Sequence, residues 1–409
     1  MERYDSYKDS GVKWLGEIPS HWEVIKNKYL FRESDERNVS GLYKLLSFSK
    51  RKGIIPFEEN SDKESSSENL RSYKVLHIGQ LLENRLQAWN GMFLSSNMEG
   101  CVSPDYSVFD ILPEGANIHY FSYLFRTNLY IEQWANASKG IGSGFNRLYT
   151  PQFGNVISIF PPCNEQDTIV HYLDATTSKI DEAIAQQQKM IDLLNERKQI
   201  IINSAVTRGL DPNVKMKDSG VEWIGEVPEH WEVMRMRYLC SITTGNKDTI
   251  NRVDDGLYPF YVRSPKVERI NTYSYDGEAV LMAGDGVGAG KVFHYVNGKF
   301  DYHQRVYNFY NIKKIKAKLL YYYMKSHFRY VIEQLSAKST VDSVRLNMIQ
   351  DFMVVIPSMQ EQLDLIEYLD SQMKNLDDSI STFENQIFLL QERKQIIIND
   401  VVTGKVKVS

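Results

Sequence analysis

The stretch that decides the fold is Glu165–Asn203, EQDTIVHYLDATTSKIDEAIAQQQKMIDLLNERKQIIIN. It contains neither glycine nor proline, the residues that most often end helices, so it predicts one long helix. Its spacings of three and four create two columns, which are Leu173, Ile180, Gln187, Leu194, Ile201 and Thr177, Ile184, Ile191, Lys198, Ala205. This heptad pattern predicts a narrow seam for a partner helix rather than a broad core face.

A matching partner lies in the same chain, at Glu361–Asn399. Its columns are Leu369, Leu376, Phe383, Leu390, Ile397 and Met373, Ile380, Ile387, Lys394, Val401. Both stretches end in the same eight residues, ERKQIIIN, at 196–203 and 392–399. A pair of ordinary core helices is the alternative, but two matching columns with a shared ending favour a coiled coil.

The chain also repeats a segment outside the helices. Lys8–Leu30 reads KDSGVKWLGEIPSHWEVIKNKYL and Lys217–Leu239 reads KDSGVEWIGEVPEHWEVMRMRYL, with 15 of 23 residues identical. The chain is therefore predicted to be two tandem units, each with a leading segment, a variable middle and a long helix. The tryptophans of the leading segments, Trp14, Trp22, Trp223 and Trp231, are expected to anchor a structural clasp. The predicted domains are 1–162, 163–208, 209–358 and 359–409.

Antiparallel pairing of the two helices follows from their length. A helix of about 39 residues is about 58 Å long. The 16 residues Ser204–Ser219 reach at most about 56 Å, so they could hardly retrace that length for a parallel partner. Antiparallel pairing needs no such return. It predicts a pseudo-two-fold relation with one middle at each end.

The two middles look like mixed α/β structure. Short β-like runs between turns occur at Tyr73–Ile78, Ala279–Met282, Lys291–Val296 and Val354–Ile356. Helices are predicted at Tyr120–Ala135 and Ala317–Gln334, where aromatic residues recur at helical spacing. The predicted fold class is therefore α+β, with two mixed α/β middles joined by two long helices in an antiparallel coiled coil.

Composition excludes several classes of protein. The 409 residues contain 42% hydrophobic residues, with no apolar run near the roughly 18 residues of a membrane span. The start, MERYDSYKDSG, lacks an apolar signal core, and the three cysteines are scattered. A cytoplasmic protein without a disulfide framework or zinc site is expected. The net charge of −4 argues mildly against nucleic-acid binding, yet Cys240–Pro357 holds 16 Lys and Arg against 11 Asp and Glu.

No catalytic pattern stands out. The glycine-rich run Gly284–Lys291, GDGVGAGK, has Asp285 where a phosphate-binding loop needs glycine, and Val292 where it needs Ser or Thr. It is interpreted either as a tight loop between strands or as a flexible loop facing DNA. The sequence predicts a non-enzymatic chain that binds no cofactor or metal itself.

Polar, basic loops recur in both middles. Lys and Arg neutralise phosphates, whereas Asn, Gln, Ser and Arg can read base edges. Any one such loop could simply be solvated, but their repetition favours binding to double-stranded DNA. The candidate DNA-binding residues are Lys50, Arg51, Lys52, Lys139, Ser143, Asn146, Arg147, Thr243, Thr244, Asn246, Lys247, Arg263, Ser264, Gln304, Arg305, Lys338, Ser339 and Arg345.

Taken together, these features resemble the specificity subunit of type I restriction–modification systems. The resemblance covers essentially the whole chain. It is carried by GEIPSHWEV (16–24), GEVPEHWEV (225–233), IFPPCNEQ (159–166), VIPSMQEQ (355–362), the YLD triplets (172–174, 368–370) and both ERKQIIIN endings.

The resemblance implies that each middle is a target recognition domain reading one half of a bipartite, asymmetric DNA site. It also implies that the helices space these domains and dock methyltransferase subunits, two of them, with restriction–translocase subunits as further partners. S-adenosylmethionine, and ATP with Mg²⁺, are then expected on the partners. From the residues alone, a coiled-coil adaptor that binds only protein remains the alternative.

Overall fold

The computed structural model describes residues 2–50, 52–59, 70–140, 146–336 and 343–408, with backbone alone for 333–336. The chain divides into two compact units. The first unit comprises Met1–Gln186 and Asn385–Ser409, and the second comprises Gln187–Glu384. Each unit combines one variable middle with part of both long helices, so the boundary between the units falls within the helices. The division into the four domains 1–162, 163–208, 209–358 and 359–409 remains a prediction.

Two long helices dominate the helical content. The α-helices of the described residues are α1 (Asn27–Leu30), α2 (Ile118–Leu124), α3 (Asn128–Ala137), α4 (Thr150–Asn155), α5 (Cys163–Arg208), α6 (Ala317–Ser336), α7 (Leu346–Asp351) and α8 (Met359–Val402). With 46 and 44 residues, α5 and α8 are the predicted long helices, extended by a few residues at each end. No helix in the described ranges is both long enough and apolar enough to cross a membrane.

Both long helices end at a glycine in the left-handed region. Gly209 has a φ of 76° and Gly404 a φ of 74°. Their N–H groups donate to the carbonyls of Ala205 (3.1 Å) and Val401 (3.2 Å), which satisfies acceptors that the last turn leaves open. The helices therefore stop where the sequence supplies a residue without Cβ.

In the first unit the beginning of α5 packs beside the end of α8. Leu173 and Ile180 share one buried cluster with Ile397 and Val401. Across this pair, Lys394 Nζ donates to both carboxylate oxygens of Asp181, at 2.6 and 2.7 Å.

In the second unit the end of α5 packs beside the beginning of α8. Ile202 and Val206 share a buried cluster with Leu365 and Leu369. Lys198 Nζ donates to Asp377 across this pair. The predicted antiparallel pairing is thus confirmed within each unit, and the predicted α+β class with two long helices is confirmed as well. The two seam lysines each reach an aspartate of the other helix.

The first middle is built on short strands and an aromatic core. The strands of this unit are β1 (Tyr7–Asp9), β2 (Glu17–Pro19), β3 (Glu23–Lys26), β4 (Phe31–Ser34), β5 (Leu46–Ser49), β6 (Gly53–Pro56), β7 (Lys74–Leu76), β8 (Leu81–Asn84), β9 (Phe93–Ser95), β10 (Gly100–Val102), β11 (Tyr106–Ile111) and β12 (Ile157–Phe160). An antiparallel sheet in the order β4-β11-β8-β9 forms the centre. Phe31, Phe93, Phe109 and Phe153 pack together beside it.

The second middle has a different, larger sheet. The strands of this unit are β13 (Met216–Asp218), β14 (Glu226–Pro228), β15 (Glu232–Arg235), β16 (Ser241–Thr244), β17 (Tyr258–Tyr261), β18 (Glu268–Ile270), β19 (Tyr275–Ala283), β20 (Phe293–Tyr302), β21 (Val306–Tyr310) and β22 (Met353–Ile356). Six of them pair in the order β16-β21-β19-β20-β17-β18, with β17 parallel to β20. Helix α6 contacts β19 and β20.

The leading segments form the same clasp in both units. Strand β3 pairs with β12, and β15 pairs with β22, so each leading segment holds the last strand of its middle. The buried Trp22 donates its Nε1–H to Glu165 at the start of α5, and Trp231 donates to Glu361 at the start of α8, both at 3.0 Å. A carboxylate at a helix N-terminus also meets the positive end of the helix dipole.

One predicted helix is divided. The stretch Tyr120–Ala135 forms α2 and α3 rather than a continuous helix. Thr127 lies between them; its Oγ1 donates to the carbonyl of Leu124 (2.8 Å) and accepts from the N–H of Tyr130 (3.4 Å). Because a threonine side chain satisfies a helix N-terminus well, a new helix begins there.

Candidate nucleic-acid interface

In the second unit, three loops meet at Asp285. Arg263 follows β17, Asp285 follows β19, and Arg305 lies between β20 and β21. Arg263 Nη1 is 3.1 Å from Asp285 Oδ1, and Arg305 Nε is 3.5 Å from Asp285 Oδ2. The side chains are 47%, 64% and 23% exposed for Arg263, Arg305 and Asp285, so the aspartate is the least accessible of the three. We call Arg263, Asp285 and Arg305 the arginine fork.

Backbone hydrogen bonds fix the loops of the fork to one another. Gly284 donates to the carbonyl of Arg305 at 2.8 Å, and Val344 donates to the carbonyl of Gly284 at 2.7 Å. The next residue, Arg345, is exposed and precedes α7. The glycine-rich run thus forms a loop between β19 and β20, one of the two interpretations of the sequence, and it belongs to the same surface as the arginines.

A second group adjoins the fork. Gln304 donates its backbone N–H to Lys247 (2.8 Å) and its Nε2–H to Asp248 (2.8 Å). His303 is 3% exposed, and burial lowers its pKa, so its neutral form is favoured. Its Nδ1 accepts the N–H of Arg305 at 2.9 Å, which fits a neutral ring. Gln304 and His303, which directly precede Arg305, thus link the loop of Lys247 to the fork.

The remaining candidates of this unit lie on the same loops or on the neighbouring strand. Thr243 and Thr244 are exposed on β16, which pairs with β21, and Asn246 is exposed just beyond it. Ser264 follows Arg263 and donates its hydroxyl to the carbonyl of Lys266 at 3.2 Å. The structure thus brings together candidates that are about a hundred residues apart in the sequence.

In the first unit, two groups of candidates attach to the loop 84–91. Lys50 Nζ donates to Asn90 Oδ1 at 2.9 Å. Lys139 and Arg147 are joined by two backbone hydrogen bonds of 2.9 Å, and the following Leu148 donates to the carbonyl of Arg85 at 3.1 Å. Both groups therefore contact one loop, near its two ends.

The other first-unit candidates have no hydrogen bond to the loop 84–91 among those described. Lys52 Nζ donates to the carbonyl of Glu59 at 3.0 Å, and Arg147 lies 3.4 Å from Asp105. Asn146 is exposed. Four candidates, Arg51, Ser143, Lys338 and Ser339, lie outside the described residues.

Sequence reasoning missed the acidic partners and the loop 84–91. Asp285 and Asp248 carry no sequence signal for DNA binding, yet each binds candidate residues. Trp89 is an exposed aromatic residue on the loop, and its Nε1–H donates to the carbonyl of Leu86 at 2.9 Å. The turn-rich string NRLQAWNG at 84–91, with a tryptophan between cation-bearing segments, was the available signal.

Two cations of the first middle are committed to its interior. Glu33 accepts from Lys74 at 2.7 Å and from Arg85 at 2.5 Å. Burial alone would raise the pKa of Glu33, but hydrogen bonds from Lys74 and Thr150 and the nearby Arg85 outweigh it and lower the pKa. Lys74 and Arg85 thus balance an internal carboxylate, and the first middle offers DNA fewer cations than its composition suggests.

Comparisons with known proteins agree with this architecture. The sequence profile of a family described as "Type I restriction modification DNA specificity domain" matches residues 228–388, which include the arginine fork. The type I restriction enzyme EcoDI specificity subunit of Escherichia coli is 29% identical over 44% of this chain and 40% of its own length. The MjaVIII specificity subunit of Methanocaldococcus jannaschii is 24% identical over 65% of this chain and 66% of its own.

The matches thus span less than two thirds of these first two relatives. A further relative from the same archaeon, MjaX, is 23% identical over 98% of both chains. The chain is thus similar to type I restriction–modification specificity subunits, in the case of MjaX along nearly its whole length. Its fold is that of a solved chain from a type I R-M system, with which it superposes with a TM-score of 0.71 at 14% identity, over 95% of this chain and 99% of that one.

A second specificity-subunit structure, HsdS from Thermoanaerobacter tengcongensis, superposes with a TM-score of 0.50 at 14% identity. It covers 97% of this chain and all of that one. At such identities the likeness concerns the fold alone, so candidate DNA contacts are argued from this chain's own loops.

Proposed function

We propose that this chain is the DNA-reading subunit of a type I restriction–modification complex. Each middle reads one half of a bipartite, asymmetric site in double-stranded DNA. The observation that carries the proposal is the arginine fork, because it gathers guanidinium groups from loops far apart in sequence onto one surface within residues 228–388.

The side chains divide by the contacts they suit. Arg263, Arg305 and Gln304 are held by neighbours within the loops, and a held guanidinium or amide can meet the fixed geometry of a base edge. Lys50 and Lys139 are exposed and suit phosphates, which set register without carrying sequence information. On this proposal, the two arginines and Gln304 provide sequence specificity, and the two lysines provide sequence-independent affinity.

The catalytic steps are assigned to partners. Two methyltransferase subunits dock on the helices and bind S-adenosylmethionine, and restriction–translocase subunits use ATP and Mg²⁺. The first middle contributes to this dependence, because Lys74 and Arg85 are committed to Glu33. We therefore expect the chain alone to bind DNA weakly and a methyltransferase partner to strengthen binding.

The test is a gel-shift titration of the chain with and without its methyltransferase partner, followed by sequencing of methylated DNA from cells that express both. A two-part methylated motif, with affinity raised by the partner, supports the proposal. A stable complex that methylates no defined sequence would instead indicate the protein-only adaptor.

A further inference from the structure

We propose that Asp285 is a positioning residue that sets Arg263 and Arg305 to read two neighbouring base pairs. This inference rests on the proposed DNA-reading function. Asp285 itself need not touch DNA, since its role is to fix two guanidinium groups that come from different loops.

Both guanidinium groups use only part of their donor set on the aspartate. Arg263 approaches through Nη1 and Arg305 through Nε. Within the described part of the chain, the two Nη groups of Arg305 have no hydrogen-bond partner. A guanidinium has five N–H donors in a rigid fork, so an edge remains for the O6 and N7 acceptors of guanine. A half-site that contains guanine follows from this donor pattern.

The shared carboxylate also limits how far apart the two readers can be. One nitrogen of each guanidinium lies within 3.5 Å of an oxygen of Asp285, Nη1 for Arg263 and Nε for Arg305. The base pairs of B-DNA follow one another at about 3.4 Å along the axis. Two guanidiniums on one carboxylate can therefore reach adjacent base pairs, but not pairs several steps apart.

The loop that carries Asp285 is built around both arginines. A Cβ on Gly288 would lie 2.4 Å from the carbonyl oxygen of Arg263, and a Cβ on Gly284 would lie 3.0 Å from that of Arg305. Side chains at these two positions would push the loop away from the arginines. The glycines thus serve close packing, and they place the carboxylate between the guanidiniums.

The fork also changes the charge that DNA meets. Two arginines with one aspartate carry a net charge of +1 rather than +2. Removing the carboxylate should therefore strengthen sequence-independent attraction to phosphates while it frees the guanidiniums to move. Specific and non-specific binding should shift in opposite directions, which a simple loss of stability would not produce.

The chain supplies a matched control. Asp351 at the end of α7 also binds two arginines, with Arg235 Nη1 at 3.6 Å and Arg237 as a second donor. It belongs to the same unit, but the hydrogen bonds that join the fork loops do not involve it. Asp351→Asn thus removes the same kind of charge pair outside the fork.

The experiment compares Asp285→Asn, Asp285→Glu and Asp351→Asn, each in complex with the methyltransferase partner. The methylated motif is determined by sequencing, and affinities for motif and scrambled duplexes are measured over a range of salt concentrations. For Asp285→Asn we expect discrimination to fall about tenfold at two adjacent positions of one half-site. Scrambled-duplex affinity should rise, Asp285→Glu should recover part of the discrimination, and Asp351→Asn should match wild type.

The outcomes separate this inference from the proposed function. A wild-type complex without a motif refutes the function itself. A wild-type motif that Asp285→Asn preserves at every position overturns only the positioning role, as does uniform weakening across all sequences. If Asp285→Asn does not fold, the charge-conserving Arg263→Lys and Arg305→Lys decide: relaxation at neighbouring positions supports the fork, and relaxation at separated positions overturns it.

Discussion

At the scale of single residues, the arginines of the two units are expected to act on different halves of the site. Arg305→Ala should relax reading in one half-site by about 1–3 kcal/mol at one base pair, and Arg147→Ala should affect only the other half. Sequencing of methylated motifs from each variant measures this. Lys189→Ala, which changes an exposed residue of α5, is the control. If the arginine variants weakened DNA binding equally at every sequence, both arginines would be phosphate contacts.

Glu83 gives the first unit a predictable dependence on pH. Burial raises the pKa of this fully buried carboxyl to about 8, from an ordinary value of 4.5. The folded state therefore favours the protonated acid. Its stabilising effect is complete below pH 4.5 and is lost progressively as pH rises through about 8.

Glu83→Gln should remove that loss, because the amide does not ionise. We expect the variant to match wild type near pH 5 and to melt at a higher temperature near pH 8, with a flatter pH profile. Thermal unfolding from pH 5 to pH 9 tests this, with the exposed Glu58→Gln as control. Parallel profiles for wild type and Glu83→Gln would contradict it.

At the scale of elements, the glycines that end α5 and α8 should differ in importance. Both have positive φ, but a Cβ on Gly404 would lie 2.5 Å from Pro19 and 2.9 Å from Trp22, whereas one on Gly209 would meet Trp231 at 3.2 Å. Gly225 has a φ of 71° with no atom within 4 Å of the added carbon. Gly225→Ala therefore measures only the free-energy cost of placing a residue with a Cβ at positive φ, which is about 1–2 kcal/mol.

We expect free energies of unfolding to fall in the order Gly225→Ala, Gly209→Ala, Gly404→Ala, with overpacking adding about 1–3 kcal/mol to the last. Chemical denaturation of the three variants measures the order. Equal losses of unfolding free energy in the three variants would mean that Pro19 and Trp22 move to accommodate the added methyl group.

The lysines in the seam should couple the two helices directly. Lys394→Asp should destabilise the first unit, and adding Asp181→Lys should restore part of the loss, with a coupling of about 0.5 kcal/mol because both side chains are partly solvated. A double-mutant cycle by urea unfolding gives this value. Lys374→Asp with Asp181→Lys is the control combination, since Lys374 is exposed and lies in the second unit.

How far the sequence predicts these elements depends on how local their determinants are. The columns of α5 and α8 and their antiparallel sense follow from spacing within each helix and from the connecting length. The break at Thr127 was missed because the aromatic periodicity of Tyr120–Ala135 continues through it. The arginine fork was missed because its three residues are separated by about 20 positions each, and only the sheet brings them together.

At the scale of the molecule, both long helices continue from one unit into the other. The boundary at Gln186 and Gln187 falls inside α5, which remains helical from Cys163 to Arg208. We expect half-site centres roughly 10 bp apart, about one turn of DNA, with an unread spacer between them.

Inserting four residues after Gln187 adds about one helical turn, or about 6 Å of helix axis. The preferred spacer should lengthen by one or two base pairs while both half-sites keep their letters. Sequencing of methylated sites compares this variant with one carrying the same four residues after Leu257, in an exposed loop. An unchanged spacer with altered half-site letters would refute a measuring role for the helices.

The repeated clasp has a consequence for how such a chain can evolve. In both units the last strand of the middle pairs with a strand of the leading segment, and a tryptophan of that segment donates to the first glutamate of a long helix. A middle transferred from the gene of another specificity subunit could form the same strand pairing with the leading segment. Recombination can therefore replace one half-site of the recognised DNA sequence in a single event. Point mutation would have to change a hydrogen-bonded set of loops one residue at a time.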